Sequence, residues 1–257
     1  RGFDMFLQKR GCCGNTRKFY FKALRAILNR ANAEGVGSAA TYPFGRGGFE
    51  VSKLEEATAK RYLPAAELSK LKSTTASNPQ CEYARKLFLF SYYCYGISFI
   101  DMAMLTTAHI KQMEDGDYIV YKRQKIKRQK GVKPISIKIT PAIRQLIGSL
   151  QAASPTVDDF LLPIVTRSGY TGERLYMHIR TRYSKYQKYL RLLAEELGID
   201  FHLTSYVSRH TAAMTLQRNH IPREVISQML GHADLETTNI YLDSFDNEVI
   251  NEAAKVL

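Results

Sequence analysis

The sequence predicts a mainly helical protein with a small antiparallel β-sheet set into its middle. Three observations carry that expectation. Apolar residues recur at helical spacing towards both ends of the chain, apolar and polar residues alternate only between residues 118 and 139, and no internal repeat divides the chain into modules. With 257 residues, 45% of them hydrophobic, the chain can bury a full core and suits one large domain with a smaller companion.

The chain opens at Arg1-Gly2-Phe3-Asp4-Met5-Phe6-Leu7 inside an amphipathic helix, with neither an initiator methionine nor a helix cap, as a fragment or trimmed chain would. A second helix begins at Asn15-Thr16, with Tyr20, Leu24, Ile27, Leu28 and Ala31 on one face and Arg17, Lys18, Lys22 and Arg25 on the adjoining one. A stripe of one sign suits phosphate contact, although a charged stripe also fits a plain solvated face. Gly35 and Gly37 end this helix. Residues 38–48, with Pro43, Gly45, Gly47 and Gly48, then read as a linker. The domain boundary is therefore expected near residue 50, giving domains 1–50 and 51–257.

Beyond it, Leu63-Pro64-Ala65-Ala66-Glu67 reads as a helix start with proline at its first position, and the strongly apolar helix over residues 81–95 should be core. Residues 118–125 are rich in β-formers and 135–139 alternate cleanly, with a basic loop containing Gly131 between them, so a hairpin is expected. From Leu175 onward the pattern is helical again, with Gly198 and Gly231 as stops and Pro222 as a start. Phe245, Val249, Ile250 and Ala253 mark one last amphipathic helix.

Charge points to the partner. Against 37 Lys and Arg stand 24 Asp and Glu, a net of +13, and the isoelectric point is near 9.5. A polyanion is the first candidate, and nucleic acid leads. A membrane surface is the rival, but no run of 18 apolar residues and no secretory segment is present, which predicts a cytoplasmic, DNA-facing protein. Cys12, Cys13, Cys81 and Cys94 show neither zinc-site spacing nor disulfide density and are expected to be reduced and inert. No Mg²⁺ cage or phosphate-binding P-loop motif stands out, so neither metal nor cofactor is expected.

Two clusters bear chemistry. Leu230-Gly231-His232 lies nine residues before Tyr241, and Thr204-Ser205-Tyr206-Val207-Ser208-Arg209-His210 lies upstream. A tyrosine hydroxyl attacking a DNA phosphodiester needs donors and cations around the non-bridging oxygens, where charge builds in the transition state. Arg209, His210 and His232 are placed to supply them.

Together the clusters resemble the active-site half of tyrosine recombinases of the phage-integrase type, closest to the integrases and invertases of Bacteroides-type mobile elements. The resemblance covers nearly the whole chain. Residues 1 to about 50 resemble the latter part of the helical core-binding domain, and residues from about 60 to 257 resemble the catalytic domain. It implies that Tyr241, on a short helix capped by Asp234, becomes linked to a DNA 3′-phosphate, that His232 donates to a phosphate oxygen, and that the planar fork of Arg209 holds two of them.

Two positions depart from the family pattern. Tyr206 stands where a histidine is usual three residues before Arg209, and one helical turn would keep the pair on a common face. Ser98, in Gly96-Ile97-Ser98, stands where the first catalytic arginine is usual. His210 supports the site from behind.

The family's catalytic lysine sits on the β-hairpin and protonates the departing 5′-oxygen. Lys125 is the first choice here, with Lys127 and Lys130 as alternatives. Seven Lys or Arg fall between residues 122 and 133, and Lys122, Lys127, Arg128 and Lys130 are expected to grip the DNA backbone. Arg123, two places before Lys125 and so on the same strand face, is expected to reach the same phosphate in place of the missing arginine.

The resemblance further implies a C-shaped clamp on double-stranded DNA. It also implies a homo-oligomer, tetrameric at synapsis and monomeric without DNA, and strand exchange without metal or external energy. Two other readings fit: a non-catalytic DNA-binding regulator that keeps the fold, and a type IB topoisomerase.

Overall fold

The computed structural model describes residues 2–44, 46–56, 62–232, 238 and 242. The chain divides into two compact units, residues 1–59 and 60–257. The break falls about ten residues later than the expected boundary near residue 50. The reason is that the segment read as a linker belongs to the first unit's core: Phe44 and Phe49 both meet the ring of Phe21, at 6.2 and 4.3 Å, and Val51 is buried with Leu7 and Phe21.

In the first unit, helix α1 (Gly2–Lys9) lies on helix α2 (Gly14–Ala33) through the Phe3 and Phe21 rings, 5.4 Å apart, and an ion pair from Arg17 to Asp4 at 2.9 Å. The buried face of α2 is one step off the expected one. Phe21 is buried, while Tyr20 and Ile27 are exposed. Gly14 opens α2 because a Cβ there would lie 2.4 Å from the Leu54 carbonyl oxygen. Asn15 then clasps the backbone of Glu56 through both its amide nitrogen (2.7 Å) and its oxygen (3.2 Å).

The second unit is built on helix α4 (Pro79–Tyr93). Its start is fixed by Asn78, whose side chain accepts from the backbone of Gln80 and Cys81, and by Pro79 in the first turn. Leu87, Phe88 and Phe90 are fully buried along it. Short helix α3 (Ala65–Ser73) precedes it, and helix α5 (Phe99–Ala103) follows a turn at Tyr95 and Gly96. Helix α6 (Pro141–Ala153), capped by Thr140, was not anticipated; long helix α7 (Gly172–Glu196) and helix α8 (Val207–Arg218) complete the packing around α4. Helix α9 (Arg223–Leu230) starts at Pro222 and stops at left-handed Gly231, both as the sequence predicts.

The sheet has three antiparallel strands, β1 (Ile110–Met113), β2 (Gly116–Tyr121) and β3 (Ile135–Lys138), with β2 in the centre. The expected hairpin is therefore its β2–β3 half. β1 escaped notice because three of its four residues are exposed and show no apolar alternation. Ile119 pairs with Ile137 and Tyr121 with Ile135, all four buried, so the period of two sends one face to the core.

β2 ends at Tyr121, not at residue 125, and this corrects the expectation that Arg123 and Lys125 share a strand face. Tyr121 and Ile135 are the last pair of the ladder, and seven cations follow before residue 134. Extending the pairing would set like charges against each other across strands. The four cysteines are unbridged, and burial raises the pKa of the Cys94 thiol.

Candidate active site

Arg209 sits in the first turns of α8 and is only 4% exposed. Its burial depends on Gly96, which turns with φ +71° so that a Cβ would stand 2.4 Å from the Arg209 Cα. Only glycine permits that approach. The guanidinium then donates from Nη1 to the Gly96 carbonyl at 3.1 Å, and from Nη2 to the Leu230 carbonyl and to His232 Nε2 at 2.9 Å.

That last contact fixes the state of His232. Arginine has only donors, so Nε2 accepts, and the ring is the neutral tautomer with its proton on Nδ1. The Nδ1 proton is given to the hydroxyl of buried Thr238 at 2.8 Å. Arg209, His232 and Thr238 therefore form one hydrogen-bonded line. Thr238 was missed in the sequence, where one threonine beside another carries no signal.

Arg123 leaves the end of β2 and donates from Nη1 to the Gly231 carbonyl at 3.3 Å. Gly231 has φ +62°, and a Cβ there would press on Ile135 Cδ1 at 2.3 Å and on Arg123 Cδ at 3.3 Å, so the helix stop also makes room for this arginine. Consecutive carbonyls at the C-terminal, electronegative end of α9 thus accept from two guanidiniums.

Ser98 carries no charge to the site. It caps α5, accepting from the Asp101 backbone at 3.3 Å and donating to Asp101 Oδ2 at 2.6 Å. Asp101, buried, takes the Gln124 backbone amide on its other oxygen at 2.7 Å, which ties α5 to the residue after Arg123.

Arg209, Arg123, Ser98 and Tyr206 all line one cleft of about 450 Å³, together with Tyr176, Arg180 and Tyr183 of α7. Tyr206 is 53% exposed at the entry to α8, its ring edge-on to His210 at 5.1 Å. Tyr176, Arg180 and Tyr183 were not singled out in the sequence, although their i, i+4, i+7 spacing on a predicted helix was available as a signal.

Other expected residues lie apart from this cleft. Lys125 is exposed in the turn after β2, and Lys122, Lys127 and Arg128 line a shallow depression on the sheet side with His109 and Pro134. Lys130 is exposed in the same loop. In the first unit the basic stripe is partly neutralised, because Arg17 pairs with Asp4 and Lys18 with Glu55 at 2.6 Å, the latter holding the Glu55 carboxyl below its ordinary pKa. Lys22 and Arg25 are exposed. Tyr241, Asp234 and all of the expected terminal helix but Leu242 lie outside the described residues. Leu242 is buried against Met214, Ile226 and Leu230.

Residues 61–248 match the model of the phage integrase family, almost three quarters of the chain. The chain belongs to the phage integrase family. Among relatives of this integrase-family chain, tyrosine recombinase XerD of Halalkalibacterium halodurans is 43% identical over 54 residues, covering 21% of this chain and 18% of that protein. Tyrosine recombinase XerC of Rhodospirillum centenum is 31% identical over 114 residues, covering 44% of this chain and 31% of that protein. The matched segments thus span less than a third of either relative.

Solved structures share the integrase-family fold at lower identity. The Tn1549 transposon integrase in complex with transposon right end DNA superposes with a TM-score of 0.68 at 13% identity, over 99% of this chain and 83% of that one. XerH recombinase bound to a palindromic difH substrate gives 0.65 at 18% identity, over 96% and 69%. Among the described residues no helix is long and apolar enough to cross a membrane.

Proposed function

We propose that this chain is a site-specific DNA recombinase that cuts and rejoins double-stranded DNA through a 3′-phosphotyrosine on Tyr241. The observation that carries the reading is the convergence of Arg209, Arg123 and His232 on the C-terminal end of α9, with His232 nine residues before that tyrosine. A phosphate in the cleft replaces the carbonyls as acceptor for the two guanidiniums, and the pair offsets the charge that builds on the non-bridging oxygens. The Tyr241 oxygen loses its proton to water and bonds to phosphorus as the bond to the 5′-oxygen breaks, and that leaving oxygen takes a proton. Lys125 is the proposed donor, reaching the leaving oxygen when the loop of residues 122–133 lies against the duplex. Reversal by another 5′-hydroxyl rejoins the strands without an external energy source.

The likeness to recombinases solved with DNA supports duplex DNA as the partner, as does the net charge of +13. The reading extends to a cytoplasmic protein that tetramerises at synapsis, with residues 1–59 as part of a core-binding domain. A suicide duplex with a nick near the cleavage point tests it. A covalent adduct that survives denaturation is expected, whereas a stable complex with no adduct marks a DNA-binding regulator instead.

A further inference from the structure

Behind the cleft lies a second cavity of about 470 Å³, framed by α4, α7 and the end of α6. Its volume falls in the range of sites that take small organic ligands. Leu87, Phe99 and Ile164, all buried, supply an apolar wall. Arg182 and Lys185 stand at it, and among the described residues no Asp or Glu lines it. The positive field there is felt by His178, whose pKa burial, Arg182, Arg167 and Lys185 together lower.

A buried polar group stands beside the cavity. Tyr186 lines it, and the buried Tyr186 hydroxyl has no hydrogen-bond partner among the described residues. An anion with an apolar body matches the two cations and the hydrophobic wall at once.

The wall is shared. Phe99 lines both this cavity and the cleft that contains Arg209, stacking on Tyr186 at 5.1 Å and meeting Tyr183 at 5.3 Å. It is also the first residue of α5, next to Ser98, and Asp101 of the same helix holds the Gln124 amide beside Arg123. Phe99 thus connects the cavity wall to the helix that holds the Gln124 amide beside Arg123.

We propose that this cavity is a binding site for a small organic monoanion with an apolar body, such as a medium-chain or aromatic carboxylate, and that its occupancy is transmitted to the cleft through Phe99. Binding is measured without DNA, so the outcome is independent of the recombinase reading. Octanoate titrated calorimetrically into the intact chain should bind one site at submillimolar concentration. Arg182→Gln should weaken it at least about tenfold, as should replacing octanoate by the uncharged 1-octanol. Ala153→Phe, at an exposed position on the rim, should block binding while leaving the melting temperature unchanged.

The chain has no tryptophan, so Tyr183→Trp gives a single tryptophan, excited selectively over the remaining tyrosines, against Phe99 on the cleft side. Its emission should shift as octanoate saturates the cavity. No binding in the millimolar range, equal binding of 1-octanol, or binding that survives both Arg182→Gln and Ala153→Phe overturns the site. Octanoate binding with an unmoved tryptophan emission overturns the link to the cleft.

Discussion

Arg123 and Arg209 donate to consecutive carbonyl oxygens, Arg209 Nη2 to Leu230 and Arg123 Nη1 to Gly231 at 3.3 Å. Two guanidiniums that ordinarily repel are held together by the negative end of α9. Ser98, in the same cleft, is committed to capping α5 and brings no charge. Arg123 and Arg180 are the cations that line this cleft beside Arg209, and of these Arg123 shares the end of α9 with it.

Arg123→Ala should therefore lower DNA cleavage by roughly a hundredfold, the loss of one preorganised donor at on the order of 3 kcal/mol, while duplex binding stays nearly unchanged. Adding Ser98→Arg to that variant should restore part of the rate. Single-turnover cleavage with a radiolabelled suicide duplex measures both. Near-normal cleavage by Arg123→Ala would return the search to other basic residues.

Thr238 is predicted to position His232. Thr238→Val removes the hydroxyl that pairs with His232 Nδ1, a hydrogen bond worth about 0.5–1.5 kcal/mol net. Cleavage should fall by up to about tenfold with DNA binding intact, and Thr238→Ser should recover most of the rate. A Thr238→Ser variant as poor as Thr238→Val would show that the methyl group's packing, not the hydroxyl, matters.

How far the sequence spoke depended on how local each signal was. Helix ends set by Pro222 and Gly231 were legible because caps and stops are properties of a few adjacent residues, whereas the cap at Asn78, three residues before the expected start of its helix, was passed over. The register of α2 and the end of β2 were not. Phe21 is buried only because Phe44 and Phe49, more than twenty residues on, fold back over it, and Tyr121 ends its strand only because Ile135 is its last partner. Arg209 and His232 were found through a motif. Their line to Thr238 and the carbonyls of α9 required the fold, and the pairing of Arg17 and Lys18 with acids could not be read from the spacing of the cations.

That pairing changes what salt dependence should show. Neutralising Lys22 and Arg25 together should flatten the slope of log affinity against log salt by up to nearly one unit per lost phosphate contact. Arg17→Gln should change it little, because its charge is already held by Asp4. Filter binding across a salt series decides, and equal slopes for all variants would return the stripe to a solvated face.

Stability should fall in mild acid through His178. Its Nε2 accepts from the Thr166 backbone at 3.2 Å, so the bound form is neutral, and its pKa is lowered. The unfolded chain takes up the proton first. This contribution is therefore present above the ordinary imidazole value near 6.5 and is lost as pH falls from there towards the lower folded value. Melting temperatures from pH 7.5 down to 5 should drop less steeply in His178→Gln than in the parent. Parallel curves would contradict this.

The central claim is that Tyr241 is the nucleophile, and one measurement addresses it most directly. Parent chain and Tyr241→Phe are incubated with the same labelled suicide duplex, and covalent adduct and total binding are read from denaturing and native gels. The account predicts an adduct for the parent, none for the variant, and equal binding for both, since binding rests on many phosphate contacts while attack needs one hydroxyl. An adduct formed by Tyr241→Phe would contradict it.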